Sequence, residues 1–276
     1  VTYRPVDLLN ALVGTSGTRA VRGVAFGPHA RDRLDLWRPD DARDNLPVLV
    51  FFYGGAWQEG ERTDYAFVAA SLARAGFLVA VPDYRVHPQV SFPAFLEDGA
   101  EAVAAARRLA REHGGDPERL LVMGHSAGAH IAAMLALDRR WDARPAGMVG
   151  LAGPYDFLPI LGADIRAVFA PAADIRETQP IHFAGSHAPP MLLLHGARDR
   201  TVWPRNALAL ATRLTAAGAR AEARILPGIG HIGIVLALAR PFRFLAPVLD
   251  ATVEFASGII PAKEASCSPV PSAAPA

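Results

Sequence analysis

Residues 120–138 read LLVMGHSAGAHIAAMLALD. A short apolar run meets a turn, Gly124-His125-Ser126-Ala127-Gly128, and an alanine-rich stretch of helical character follows. The turn fits G-x-S-x-G, whose mechanical meaning depends on its context: a strand before it, a helix after it, and a serine forced into strained dihedrals at the corner. Glycines on either side remove the side chains that would collide in so tight a turn. The Ser126 hydroxyl then stands above the sheet edge, and the first N–H groups of the helix point to the same place, where they favour developing negative charge. Serine is also a common helix N-cap. The strand before it and the helix after it favour the nucleophile.

Outward from this corner the chain alternates. Strand-like runs lie at 21–26, 33–37, 48–53, 77–81, 120–123, 148–152, 191–195 and 222–226. From Pro47 onward they are continuous apolar runs rather than alternating ones, which suits a sheet covered on both faces. Helix-length segments lie between and after them, at 62–75, 93–113, 127–138, 203–217 and 232–255. Gly76 is placed as a C-cap, and Pro93 with Gly114-Gly115 punctuates the second helix at its two ends. The expected fold class is α/β: a mostly parallel eight-stranded sheet with helices on both faces and at most a small cap. Ligands of such sheets bind at the carboxyl ends of the strands.

A serine hydroxyl is a weak nucleophile without a base. The G-x-S-x-G corner resembles that of the α/β-hydrolases, and this resemblance implies that an acid follows the serine along the chain and a histidine follows the acid. GARDRTVWP (196–204) offers Asp199 after one strand, and PGIGHIGI (227–234) offers His231 after the next. His231 would take the proton of Ser126, and Asp199 would hold the imidazole in one tautomer and orientation. The rivals are weaker by position. His195 sits within its strand end and reads as a support for the loop, while His182 and His187 fall in the 154–190 excursion. The direction of His125 depends on the turn. Asp156, Asp164 and Asp174 precede the interval where the acid belongs.

FFYGGAWQEG, residues 51–60, places two glycines after an apolar run. Alone they read as a turn where a Cβ would clash. With Ser126 placed, they also end the first long central strand, where the resemblance to α/β-hydrolases implies backbone N–H donors to a substrate oxygen. Gly54, Gly55 and Ala127 are therefore the expected oxyanion hole.

LDLWRP (34–39), YGGAW (53–57), VPDYR (81–85), GHSAGAH (124–130), GPYDF (153–157), HGARDRTV (195–202) and GHIG (230–233) together resemble the α/β-hydrolase esterases. Within them, the likeness is to the hormone-sensitive-lipase and kynurenine-formamidase-like branches, small bacterial carboxylesterases in particular. It covers about residues 8–256. The resemblance implies an esterase-like role for Ser126, Asp199 and His231, with Gly54, Gly55 and Ala127 as the hole and no metal or cofactor. It departs from the family at Tyr53, where a histidine that braces the loop is usual. Trp57, Tyr53, His125 and Phe157 are the expected pocket residues, with Phe157 in an apolar supply that includes Leu158, Ile160, Leu161, Val168 and Phe169. The expected reaction is hydrolysis of short- to medium-chain carboxylic esters. An arylformamidase or other amidase using the same residues is the alternative within the class, and a catalytically silent ligand-binding scaffold is the alternative outside it.

Bulk properties remove other classes. The chain has 276 residues, 51% of them hydrophobic, and a formal net charge of +1 with basic residues scattered among acidic ones. This is not the basic stripe of a nucleic-acid binder. No apolar run approaches a membrane span; IGIVLALA (232–239) is too short. The expected partner is a small-molecule ester, with no nucleic acid and no membrane span, and nothing in the sequence fixes an oligomeric state. The single cysteine, Cys267, has no internal partner. The start of the chain lacks the pattern of an intact signal peptide, so a cytoplasmic location is expected, or a secreted or periplasmic one if a leader was removed before Val1. The expected organisation is a segment 1–20 that partly covers the site, a hydrolase domain over 21–260, and a disordered Pro/Ala/Ser tail over 261–276.

Overall fold

The computed structural model describes residues 5–41 and 44–259. The expected tail, Cys267 included, lies outside these residues. Eight strands form one sheet: β1 (Thr18–Ala25), β2 (Arg33–Pro39), β3 (Leu46–Phe52), β4 (Leu78–Pro82), β5 (Gly115–His125), β6 (Gly147–Leu151), β7 (Met191–Gly196) and β8 (Ala221–Leu226). Their order across the sheet is β1-β2-β4-β3-β5-β6-β7-β8. β2 runs antiparallel to both β1 and β4, and every pairing from β4 to β8 is parallel. β4, β6 and β7 are buried along their whole length, as strands covered on both faces must be. β8, at the edge, is only half-buried.

Helices fill the connections: α1 (Pro5–Val13), α2 (Ala66–Arg74), α3 (Ala94–Ala110), α4 (Ala127–Leu137), α5 (Ala163–Phe169), α6 (Arg205–Ala216), α7 (His231–Leu236) and α8 (Val248–Ile259). α2 ends as its sequence dictates. Gly76 takes φ +99°, and the N–H groups of Gly76 and Phe77 return to the carbonyls of Ala73 and Leu72, closing the last turn. The segment 232–255 is not the single helix that its apolar content suggests. α7 stops at Leu236, a 3-10 stretch follows over Arg240–Leu245, and α8 begins at Val248. Pro241 and Pro247 each lack the N–H that a continuous helix needs, which makes this break a backbone necessity.

The strand order explains where a site can form. From β3 the chain passes to β4 on one side and then returns to place β5 on the other, so the crossovers leave β3 in opposite directions. A crevice opens beyond the carboxyl ends of strands at such a reversal. Tyr53-Gly54-Gly55 follow β3 and Ser126 follows β5, one on each side of it. Asp199 follows β7, and His231 follows β8 as the first residue of α7.

Candidate active site

Ser126 sits at the corner between β5 and α4 with φ 54° and ψ −120°. This is a costly conformation for a residue with a Cβ, and the surroundings enforce it. A Cβ on Gly124 would lie 2.2 Å from the Gly128 carbonyl oxygen, and one on Gly128 would lie 2.1 Å from the Phe52 carbonyl oxygen. Both glycines are therefore required for β3, β5 and α4 to approach this closely. The Ser126 N–H is held by the Leu151 carbonyl at 2.9 Å, and its side chain makes no capping bond to α4. The hydroxyl is left for other chemistry.

It has a partner. His231 Nε2 lies 2.9 Å from Ser126 Oγ, and His231 Nδ1 lies 2.7 Å from Asp199 Oδ2. Asp199 is buried, and its other oxygen accepts the N–H groups of Thr201 and Val202, both at 2.9 Å. Burial pushes its carboxyl upward, but hydrogen bonds from His195, His231 and Val202 outweigh this and hold it well below the usual carboxylate range. His195 Nε2 donates to the Val202 carbonyl at 2.8 Å and stands 3.3 Å from Asp199 Oδ2, so it ties down the acid's loop. The three residues chosen by element order thus converge from three separate strand ends.

His125 is wholly buried. Burial drives its pKa down to about 3, so the ring is neutral and its Nε2–H donates to the backbone carbonyl of His231 at 3.0 Å. It lines the cleft in front of Ser126 while gripping the backbone of the histidine opposite. This contact had no signal in the sequence beyond a histidine within the turn.

The Gly54-Gly55 turn lies against the same corner. An added Cβ on Gly54 would fall 3.2 Å from the Ser126 Cβ, and one on Gly55, at φ +137°, would fall 2.1 Å from the Glu59 carbonyl oxygen. Ala56 and Trp57 continue the loop at φ 51° and 59°, strained values for residues with side chains. Trp57 anchors the strained segment in an aromatic cluster, with ring centroids 4.8 Å from Phe169, 5.1 Å from His130 and 6.1 Å from Phe157. Ala127 is the first residue of α4, where a helix leaves N–H groups without intrahelical partners. Among the described residues no cluster of His, Cys, Asp and Glu has the make-up of a metal site.

Of the expected pocket residues, Trp57 and Phe157 line one cleft at Ser126 and His125 lines another. Tyr53 does neither, which corrects the expectation. Its ring is fully buried beneath the loop, stacked on Tyr84 at 4.7 Å. Its hydroxyl accepts from Arg31 at 2.8 Å and donates to Asp83 Oδ1 at 3.0 Å. Arg31 also donates to the Gly60 carbonyl at 2.6 Å, and Arg62 pairs with Asp83 and Asp35. Tyr84 returns a hydrogen bond to the Tyr53 carbonyl at 2.9 Å. A core position at the end of a central strand, with charged residues gathered from three other segments, explains why Tyr53 points inward. The sequence contained Arg31 and Asp83 but no pattern joining them to Tyr53.

The chain is similar to known proteins in sequence and in fold. A family profile described as BD-FAE matches residues 34–147. The chain is 32% identical over 237 residues to esterase LipC of Mycobacterium tuberculosis, an alignment covering 76% of this chain and 59% of LipC. It is 30% identical over 245 residues to the isoprenylcysteine alpha-carbonyl methylesterase ICME of Arabidopsis thaliana, covering 78% of this chain and 57% of that protein. The chain therefore spans under two thirds of the length of these curated relatives. Among solved structures, esterase 2 of Thermogutta terrifontis superposes with a TM-score of 0.75 at 22% identity, covering 89% of this chain and 96% of that one. A truncated carbohydrate esterase from gut microbiota superposes equally well, at 21% identity over 88% of this chain and 97% of that one. By these superpositions the chain has the α/β-hydrolase fold, and in sequence it is similar to curated esterases.

Proposed function

We propose that this chain hydrolyses carboxylic esters of short to medium acyl length through an acyl-enzyme on Ser126. The observation that carries the reading is the unbroken hydrogen-bonded line from Ser126 Oγ through His231 to Asp199, at 2.9 and 2.7 Å, ending on a hydroxyl that caps nothing. His231 Nε2 takes the hydroxyl proton as Oγ attacks the ester carbonyl. Asp199, held ionised and fixed by its own loop amides, keeps the Nδ1–H on the far side of the ring. The oxyanion is held by backbone amides of Gly54, Gly55 and Ala127, each such donor contributing roughly 10²–10³ in rate. His231 then protonates the departing alcohol, and water repeats the sequence against the acyl-enzyme.

Kinship with curated esterases supports ester bonds as the target. Hydrolysis of p-nitrophenyl esters from acetate to palmitate tests the acyl range. Efficiency should peak at or below about ten acyl carbons and fall towards palmitate, because each buried methylene is worth only about 0.8 kcal/mol and a pocket that ends early stops gaining it. An optimum at palmitate would contradict the acyl range.

A further inference from the structure

Two clefts meet at Ser126, and they differ in which catalytic group they contain. The larger, about 1020 Å³, is walled by Leu9 and Leu12 of α1, Phe67 of α2, Val235 of α7 and Phe242 beyond it. The smaller, about 420 Å³, is walled by Trp57, Phe157, Ile160, Leu161 and Ile165. Ala56, Ser126 and Thr201 line both and form the waist between them. His231 lines only the larger.

That asymmetry has a chemical consequence, which rests on the ester reading above. When the tetrahedral intermediate collapses, the bond between the carbonyl carbon and the alcohol oxygen breaks, and the oxygen takes its electron pair and the proton that His231 Nε2 removed from Ser126. The alcohol oxygen must then lie within hydrogen-bond reach of His231. The acyl group, which stays bonded to Ser126, then has the other side of the waist open to it. We infer that the alcohol half of the substrate lies in the larger cleft against α1 and the acyl half in the smaller pocket against Trp57 and Phe157, so that the site is built for esters of bulky apolar alcohols with shorter acyl groups.

The walls of the larger cleft are fixed in place. Asn10 of α1 donates to the carbonyls of Thr63 and Asp64 at 3.1 and 3.3 Å and accepts the Phe67 N–H at 2.9 Å, which seats α1 on the start of α2. Arg74 of α2 holds the end of α1 through the Gly14 carbonyl at 2.9 Å. Glu59, Glu61 and Asp64 outnumber Arg31 along this cleft, so an anionic alcohol is disfavoured there.

Octyl acetate and ethyl octanoate are isomers with their halves exchanged, and they test the assignment with matched hydrophobicity. Leu12 and Leu161 line opposite clefts and are both exposed, at 64% and 83%, so a charge at either leaves the core untouched. Leu12→Asp should lower kcat/KM for octyl acetate about tenfold more than for ethyl octanoate, and Leu161→Asp should do the reverse, because each places a charge against one alkyl chain only. Circular dichroism and thermal melting check that both variants are folded. A reversed crossing, or no difference between the isomers in either folded variant, overturns the assignment and leaves the ester reading standing. Wild-type protein that turns over neither isomer nor any p-nitrophenyl ester overturns the ester reading itself, and the assignment falls with it.

Discussion

The Tyr53 hydroxyl donates to Asp83 Oδ1 at 3.0 Å directly behind the Gly54-Gly55 turn, with Arg31 donating to the same hydroxyl at 2.8 Å. Arg31 also holds the Gly60 carbonyl, so the start and the end of the loop share one guanidinium. The hydroxyl thus ties the core beneath the turn to the far end of the loop. Tyr53→Phe keeps the ring and removes the link. The expected cost is about 1–2 kcal/mol of stability from the groups left unpaired. A roughly tenfold fall in kcat, equivalent to about 1.4 kcal/mol, should accompany it if the turn presents the proposed oxyanion donors. Unfolding in urea and steady-state kinetics on p-nitrophenyl butyrate check the two effects, and an unchanged kcat would contradict the bracing role.

Asp199 is assigned the tautomer of His231. Asp199→Asn keeps the size and the Thr201 and Val202 contacts but loses the acceptor that fixes Nδ1–H. The expected outcome is a drop in kcat of about 10³–10⁴ with KM little changed, as a misassigned tautomer produces in other triads. A loss below tenfold would show that the carboxylate does not orient the base.

His130 supplies a test of the core behind the site. It is fully buried between Trp57, Phe157 and Phe169, and its Nε2–H donates to the Thr178 carbonyl at 2.8 Å. Burial lowers its pKa from 6.5 to about 4. Between these values the unfolded chain takes up a proton that the folded protein refuses, so stability falls as the pH drops through 6.5 towards 4. From pH 7 to pH 5 the loss from this one group is about 2 kcal/mol by linkage. His130→Phe should narrow the difference in unfolding free energy between those pH values by about that amount. An unchanged difference would mean that His130 does not remain neutral in the fold.

The legible parts of this chain were those in which local pattern and chemistry coincide. Gly124 and Gly128 could be read because both flank a serine at a strand-to-helix corner, and both meet backbone at close range in the folded chain. Asp199 and His231 were candidates because each follows its own strand in the serine, acid, histidine order of the α/β-hydrolases, and the fold brings both within hydrogen-bond reach of one line to Ser126. Tyr53 was misplaced because its orientation depends on Arg31, Asp83 and Tyr84, which lie 22 to 31 residues away and give no local signal. The segment after His231 was read as one helix because its apolar content outweighed Pro241 and Pro247. The hold of His125 on the His231 carbonyl spans 106 residues of sequence and was invisible before the fold existed.

Turnover of p-nitrophenyl butyrate by purified wild-type and Ser126→Ala proteins, with intact mass measured after exposure to a serine-directed organophosphate, tests whether Ser126 is the nucleophile. The expected result is a fall in kcat of about 10⁴ or more in the variant, since loss of a triad nucleophile leaves only binding and the oxyanion donors. A single adduct on wild-type protein should map to Ser126 and be absent from the variant. Retained turnover in Ser126→Ala, or an adduct on another residue, would contradict this assignment.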